Sequence, residues 1–250
     1  MIDLDNGGTP ALEDQSGGAA TNSAMVFCTS YIEDKDIWEG RYNRWLSHHK
    51  KVFPTSPLFI IDDGSPFLPD EEGVTISTNL SKITIGERAT IFHFSNRLGR
   101  QSVTNFPGWF RSFTFSANIA KKFGFTKIIH IESDSFILTR KAVHYVETID
   151  KGWTAFYCPR WNFPETAFQV ICSDTFEALE KVRDTPYEEN FSQKLMELSL
   201  PFTHVETKIY GNRYGEFRSK VPRSADFAIQ VGKNVRYDSE FDRLPLTGPF

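Results

Sequence analysis

The chain has 250 residues, which is enough for one large domain or two small ones with a sizeable core. A hydrophobic content of 40% is ordinary for a globular protein, and a net charge of -4 without a basic stripe argues against a nucleic-acid partner. Three cysteines within apolar runs suit neither a zinc site nor a disulfide framework. No apolar run could span a bilayer and no signal-peptide pattern is present, so we expect a cytoplasmic protein without a transmembrane segment. Peripheral attachment to a membrane stays open.

The N-terminal part of the chain predicts a tail, a strand and a helix. Residues 1–23 are rich in Gly, Ala, Thr, Ser and acidic residues, which predicts a flexible tail without chemistry before a single folded domain over residues 24–250. Residues 24–30 are apolar and then abruptly polar, as in a buried strand. Three polar residues lie at its carboxyl end: Thr29, Ser30 and Tyr31. Residues 37–50 have the apolar spacing of an amphipathic helix.

Polar residues also follow the next two predicted strands. Residues 57–61 form a buried strand that ends in the Asp62-Asp63-Gly64-Ser65 turn. Carboxylates at a sheet edge can hold a ribose hydroxyl or a base edge, although Asp and Gly that simply make a turn explain the sequence equally well. Residues 90–94 form a shorter strand, and Arg97 and Arg100 follow it. These arginines could face a phosphate, but exposed loop arginines are common.

Residues 127–136 are the stretch around which the predicted fold is organised. A helix over residues 109–123, ended by Gly124, leads into an apolar, β-branched strand, which gives a β-α-β rhythm. The strand ends in Glu132-Ser133-Asp134. Ligands collect at the carboxyl ends of parallel strands, and an acidic pair there suits Mg²⁺ or Mn²⁺ bound together with substrate phosphate. Two carboxylates that cap a turn in water are the competing explanation.

Beyond this motif the predicted strands are closely spaced and mixed with helices. We expect helices at 139–150, 173–183 and 187–198, strands at 153–158, 167–172 and 200–205, and a final apolar run at 225–231. The short link between the first two strands requires them to be antiparallel. Trp161 in that link could stack on a sugar face, although packed loop aromatics are commoner. Glu188 and Glu189 open a helix, where acidic residues normally complement the helix dipole.

Three of these features together resemble the nucleotide-sugar glycosyltransferases of the GT-A fold. They are the opening strand with Thr29 and Ser30, the acidic turn at Asp62 and Asp63, and the helix, strand and motif over residues 109–136. The resemblance covers about the first half of the folded part. It implies an α/β fold with a Rossmann-like, mostly parallel central sheet flanked by helices and a mixed or antiparallel C-terminal part. Residues 24–136 would then form the nucleotide-sugar-binding half and residues 137–250 the acceptor-side half.

The resemblance also implies an activity, which is transfer of a sugar from a UDP- or GDP-sugar to a hydroxyl of a glycan, lipid-linked or protein acceptor. The residues that would bind the nucleotide are Thr29, Ser30, Tyr31, Asp62, Asp63, Arg97, Arg100, Glu132 and Ser133. Mn²⁺ or Mg²⁺ on the diphosphate would be held by Asp134 and Glu132, with a ribose contact as the alternative for Glu132.

The remaining implied roles concern the acceptor and the closing of the site. If the anomeric centre inverts, Glu189 or Glu188 would take the proton of the acceptor hydroxyl. Arg213 or Arg218 would close over the diphosphate as part of a lid. Trp161 would meet the acceptor.

Two other functions remain open from the sequence. A nucleotidyltransferase that makes nucleotide sugars shares a related sheet, but it usually opens with a Gly-rich basic phosphate loop, whereas residues 31–35 here are acidic and lack glycine. A non-catalytic module that binds a sugar or a nucleotide with the same fold is the other alternative.

Overall fold

The computed structural model describes residues 23–86, 88–102, 105–186 and 195–242. Its main feature is an eight-stranded sheet with helices on both faces, so the predicted α/β class is confirmed. The strands of this sheet are β1 (Ala24–Ser30), β2 (Leu58–Asp62), β3 (Val74–Ser77), β4 (Ala89–His93), β5 (Lys127–Ile131), β7 (Trp153–Cys158), β8 (Phe163–Cys172) and β9 (His204–Glu206). A small second sheet contains β6 (Phe136–Ile137), β10 (Gly211–Asn212) and β11 (Phe227–Ala228).

The helices agree with the predicted positions, with one irregularity. They are α1 (Lys35–Ile37), α2 (Arg44–Val52), α3 (Pro107–Phe123), α4 (Arg140–Thr148), α5 (Phe176–Asp184) and α6 (Met196–Ser199). A π-helical turn, Trp38–Asn43, joins α1 to α2 inside the single helix expected over residues 37–50. Most of the helix expected at 187–198 lies outside the described residues. None of the described helices combines the length and the hydropathy needed to cross a bilayer.

The order of strands in the main sheet is β3-β4-β2-β1-β5-β8-β7-β9. The first five of these are parallel to one another, whereas β8 is antiparallel to both β5 and β7. The mostly parallel sheet with a mixed C-terminal part is therefore confirmed. From β1 the chain builds outward through β2 on one side and later through β5 on the other. The β1–β5 junction is thus a topological switch point, where ligands of open α/β sheets usually bind.

Two strands, β3 and β11, differ most from the expectation. The edge strand β3 was not predicted, because its four residues are half-buried or exposed and carry no apolar run. The final apolar run over residues 225–231 contributes only the two-residue strand β11. Ala225 and Val231 pack in a small cluster with Phe136 and Tyr214, whereas Ile229 belongs to the main core cluster.

Alternating residues of β1 explain how the core is divided. Val26 and Cys28 face a cluster that includes α2 and α4, while Met25 and Phe27 face a cluster that includes α3 and α5. This period of two is the geometry of a strand buried on both faces. Gly124 ends α3 with a φ of 70°, the left-handed conformation expected from its position. The result is a central sheet that is covered on both faces and whose polar strand ends meet at one edge.

Candidate functional site

A cleft of about 550 Å³ opens at the carboxyl ends of β1 and β5. The residues that line it are Arg41, Arg100, Phe106, Trp109, Glu132, Asp134, Glu165, Thr166, Ala167, Leu195, Met196, Glu197, Arg213 and Gln230. A smaller cleft of about 380 Å³ lies near the amino ends of the strands, next to Pro57 and Ala89. Only the larger cleft contains the predicted acidic motif, and it is the candidate site.

Glu132 lies in the wall of the cleft and is held by three donors. The Thr29 hydroxyl lies 2.9 Å from Glu132 Oε1 and 3.0 Å from Oε2, so it links the carboxyl ends of β1 and β5 at the switch point. Trp109 Nε1 donates to Oε1 at 2.5 Å, and His130 Nε2 lies 2.9 Å from the same oxygen. Burial alone raises the pKa of Glu132, but these hydrogen bonds outweigh it and the net shift is downward. The carboxylate therefore stays ionised.

Asp134 is the less enclosed of the two carboxylates, with 18% of its side chain exposed. Its Oδ2 accepts a hydrogen bond from Arg41 Nη2 at 3.1 Å. Burial raises the pKa of Asp134; Arg41 opposes this rise, whereas the negative charges of Glu132 and Glu165 add to it. Asp134 is thus a carboxylate whose surroundings favour additional positive charge.

Whether these residues could hold a divalent cation depends on how many of their carboxylate oxygens are available to coordinate it. Within the described part of the chain, no three His, Cys, Asp or Glu side chains are grouped as a metal-binding cluster. Mg²⁺ and Mn²⁺, however, are often held by one or two carboxylates plus substrate phosphates and water. Among the described residues, Asp134 Oδ1 has a single side-chain hydrogen-bond contact, 3.4 Å from the neighbouring Ser135 hydroxyl, so it can accept such a cation. The site therefore suits a cation that arrives with a diphosphate better than one held by protein ligands alone.

The acidic turn after β2 has a different role from the predicted one. Asp62 has no exposed surface, and its oxygens accept from Ser30 Oγ at 2.8 Å, from the Ser65 amide at 2.9 Å and from the Ser65 hydroxyl. His93 Nδ1 lies 2.7 Å from Asp62 Oδ2. Because its oxygens are engaged within the protein, Asp62 fixes the ends of β1, β2 and β4 and presents no surface to a base or ribose. Ser30, which is also buried, takes part in the same network.

Asp63 is buried as well and organises the loop that follows β4. It accepts from the Gly99 amide at 2.7 Å and the Leu98 amide at 3.3 Å, and it pairs with Arg111. Gly108, in the first turn of α3, packs so closely that a Cβ there would overlap Asp63 Oδ2. Asp63 therefore ties the Arg97–Arg100 loop to α3 and does not face the cleft.

The two loop arginines lie on aromatic rings. The Arg97 guanidinium is 3.6 Å from the Tyr31 ring centroid, and its Nη1 donates to the Tyr31 hydroxyl at 2.9 Å. Neither Arg97 nor Tyr31 lines the cleft. The Arg100 guanidinium is 4.5 Å from the Phe106 ring centroid, and both residues do line it. Of the two arginines, Arg100 is the one placed to meet a ligand.

Arg213 lies in the opposite wall and is anchored there. Its Nε and Nη2 donate to the two oxygens of Glu165 at 2.6 and 3.1 Å, and Glu165 is fully buried. Glu197, on α6, lies 3.7 Å from Arg213 Nη2 and keeps 16% of its side chain exposed. Burial raises the pKa of Glu197, and the charge of Glu165 raises it further. Arg213 is therefore part of the cleft wall in this structure, whereas the sequence predicted that it closes over the diphosphate as part of a lid.

The remaining predicted residues lie elsewhere. Trp161 is 46% exposed and does not line the cleft, and Arg218 packs against Phe217 outside it. Ser133 is buried, and its hydroxyl accepts from Arg41 Nε at 2.7 Å, so it positions an arginine. Glu188 and Glu189 lie outside the described residues, and their predicted role stays a prediction.

Several residues of the cleft were not identified from the sequence. Arg41 and Trp109 are spaced like ordinary members of helices, and nothing in their local sequence indicates a site. Glu165 carries a weak signal, because a single acidic residue within the aromatic stretch 161–168 predicts a buried carboxylate with a partner. Glu197 carries none, since its surroundings read as part of an amphipathic helix.

Comparisons with known proteins give a remote structural likeness. No family model and no curated protein matches the chain. Among solved structures, the chain is similar to the crystal structure of a glycosyltransferase involved in the glycosylation of the major capsid of PBCV-1. The TM-score is 0.44 and the sequence identity 11%, over 83% of this chain and 93% of that chain. At this identity and TM-score the likeness assigns no substrate and no residue role to this chain.

Proposed function

We propose that the chain is a glycosyltransferase that moves a sugar from a nucleoside-diphosphate sugar to an acceptor hydroxyl. The observation that carries the proposal is the contact of Thr29 with Glu132 across the switch point of the sheet, beside a cleft that also contains Asp134, Arg41 and Arg100. Carboxylates and arginines together suit a phosphorylated ligand that carries hydroxyl groups, because the carboxylates accept from hydroxyls while the arginines bind phosphate oxygens.

The cleft offers separate surfaces to the parts of such a donor. Phe106 and Trp109 line it with aromatic surface, on which a base or a sugar ring can stack. Arg100 lies beside Phe106, so a diphosphate next to that surface would meet a guanidinium. Glu132 is held ionised, and its Oε2 has only the Thr29 hydroxyl as partner among the described residues, which leaves it able to accept from a ribose hydroxyl. These contacts would orient the donor before transfer.

The charge that develops on the departing diphosphate needs a positive counterpart. Asp134 would hold Mn²⁺ or Mg²⁺ on the diphosphate, and such a cation stabilises the leaving group by charge without proton transfer. Arg41 and Arg100 contribute further positive charge from the chain itself. Glu132 is already held by three protein donors and is the weaker of the two predicted metal ligands.

An inverting transfer also needs a base for the acceptor proton. Glu197 has the properties of such a base, because it lines the cleft, is partly exposed, and has its pKa raised by burial and by Glu165. A raised pKa makes a carboxylate a better proton acceptor at neutral pH. The proton would pass from the acceptor hydroxyl to a Glu197 oxygen as that hydroxyl attacks the anomeric carbon. Glu188 and Glu189 remain the candidates proposed from sequence.

A binding experiment tests the proposal. We expect the protein to bind UDP or GDP in an isothermal titration, more tightly with Mn²⁺ than in EDTA, and to hydrolyse a matching donor sugar slowly. Asp134→Ala should remove the effect of Mn²⁺. Asp238→Ala is the matched control, since this exposed aspartate also pairs with an arginine, Arg223, but lies away from the cleft.

Three results would contradict the proposed function or favour one of its alternatives. If neither nucleotide binds under either condition, the proposal is wrong. Nucleotide binding without any donor hydrolysis or transfer would favour a non-catalytic module. Formation of a nucleotide sugar from a nucleoside triphosphate and a sugar phosphate would favour a nucleotidyltransferase.

A further inference from the structure

Arg41 connects the first helical segment to the acidic motif, although 92 residues separate it from Ser133 along the chain. It lies in the π-helical turn Trp38–Asn43, an irregularity that is frequent at functional sites. Its Nε donates to Ser133 at 2.7 Å and its Nη2 to Asp134 at 3.1 Å. The side chain is still 45% exposed and lines the cleft.

We propose that Arg41 is a replaceable counter-ion. In the ligand-free protein it neutralises Asp134, and when a divalent cation arrives with a diphosphate, Arg41 leaves Asp134 and binds the diphosphate. This inference rests on the proposed function, since it assigns a role to Arg41 in donor binding at the same cleft.

The charges at Asp134 explain why an exchange is required. A guanidinium and a divalent cation on one carboxylate repel each other at short range. The side chain that can move is that of Arg41, because it is half-exposed and its Nη1 has no hydrogen bond to any described residue. The phosphate that accompanies the cation offers a better partner, since arginine binds phosphate oxygens with two parallel hydrogen bonds.

The other arginines of the cleft are less suited to this role. Arg213 is held by both oxygens of the fully buried Glu165. If Arg213 moved away, that carboxylate would be buried without its counter-charge. Arg100 donates to the Ser102 carbonyl and lies on Phe106. Within the described residues, Arg41 alone pairs with Asp134.

The exchange predicts opposite effects on two ligands, which a merely structural role would not produce. In Arg41→Gln the competing cation is gone, so Mn²⁺ alone should bind about fivefold to tenfold more tightly than in the wild type. The affinity for UDP or GDP with saturating Mn²⁺ should fall about tenfold, the effect of one lost charge-assisted hydrogen bond. Mn²⁺ binding is measured by electron paramagnetic resonance of the free ion, and nucleotide binding by calorimetry.

A second variant and a control guard against misfolding. Arg41→Lys keeps the positive charge, so it should bind Mn²⁺ alone as weakly as the wild type while losing part of the nucleotide affinity. Arg223→Gln removes an exposed arginine paired with Asp238 and should change neither affinity. Thermal unfolding of each variant verifies the fold.

The outcomes separate this inference from the proposed function. If Arg41→Gln weakens both ligands, or changes neither, the exchange is refuted while nucleotide binding by the wild type leaves the transferase in place. Equal wild-type affinity for the nucleotide in EDTA and in Mn²⁺ also refutes it, since no cation then replaces Arg41. A wild-type protein that binds neither UDP nor GDP overturns both proposals.

Discussion

Removing the guanidinium of Arg213 should destabilise the protein strongly, because Arg213 supports a buried charge. Its two donors hold both oxygens of Glu165, at 2.6 and 3.1 Å. The Glu165 side chain has no exposed surface, whereas that of Arg213 is 20% exposed. In Arg213→Ala the carboxylate of Glu165 keeps only the Ala167 amide, at 3.1 Å, as a donor among the described residues. A buried carboxylate is then left without its counter-charge.

The expected loss of unfolding free energy follows from the burial of Glu165. Breaking a buried ion pair by removing one partner costs about 3–5 kcal/mol, and the partial exposure of Arg213 places the loss near the lower value, about 3 kcal/mol. For a domain of this length, each kcal/mol lowers Tm by about 2–4 °C, so we expect a decrease of roughly 6–12 °C. Urea unfolding followed by circular dichroism gives the free energy of unfolding, and calorimetry gives Tm.

Two further variants show whether the buried charge is the cause. Arg223→Ala breaks an exposed pair with Asp238, 2.9 Å long, and should cost at most about 1 kcal/mol. The double variant Glu165→Leu with Arg213→Met removes both members of this ion pair, so no unpaired charge stays buried there, and it should recover most of the lost stability. An Arg213→Ala protein as stable as Arg223→Ala would refute this reasoning and return Arg213 to the mobile lid that the sequence predicted.

Three other outcomes follow from the site. Glu197→Gln should lower the turnover of an inverting transferase about 10²-fold to 10⁴-fold while the nucleotide Kd changes less than about twofold; normal turnover would leave the base to Glu188 or Glu189, and Glu189→Gln tests that directly. Gly108→Ala should cost about 1–3 kcal/mol of unfolding free energy, because the new Cβ overlaps Asp63 Oδ2; an unchanged Tm would contradict the close packing. Glu132→Gln should cost about 2 kcal/mol at neutral pH. Because the folded pKa of Glu132 is lowered, its contribution is complete above the unfolded value of about 4.3 and is lost as the pH falls through the folded value. The difference in unfolding free energy between the two proteins, measured with urea, should therefore shrink as the pH falls below about 4.3, and a constant difference would contradict this.

The sequence determined the parts of this protein that depend on neighbours along the chain. The apolar runs at β1 and β5 located the centre of the sheet, since such runs are stable only when buried on both faces. The abrupt polar ends of those strands located the edge at which Thr29 meets Glu132. Gly124 marked the end of α3 for a local reason as well, because a left-handed residue ends a helix without steric cost when it is glycine.

Only the tertiary structure decided which polar residues face the cleft. Asp62 and Asp63 follow a strand just as Glu132 does, yet they are buried among Ser30, Ser65 and Arg111 and organise loops. Arg41 and Glu197 reach the cleft from helices whose local pattern is that of ordinary amphipathic segments. Side-chain hydrogen bonds such as Thr29 to Glu132 join residues 103 positions apart, and local periodicity carries no information about partners at that distance. The strand ends follow from local burial, whereas the choice of partner follows from the packing of the whole sheet.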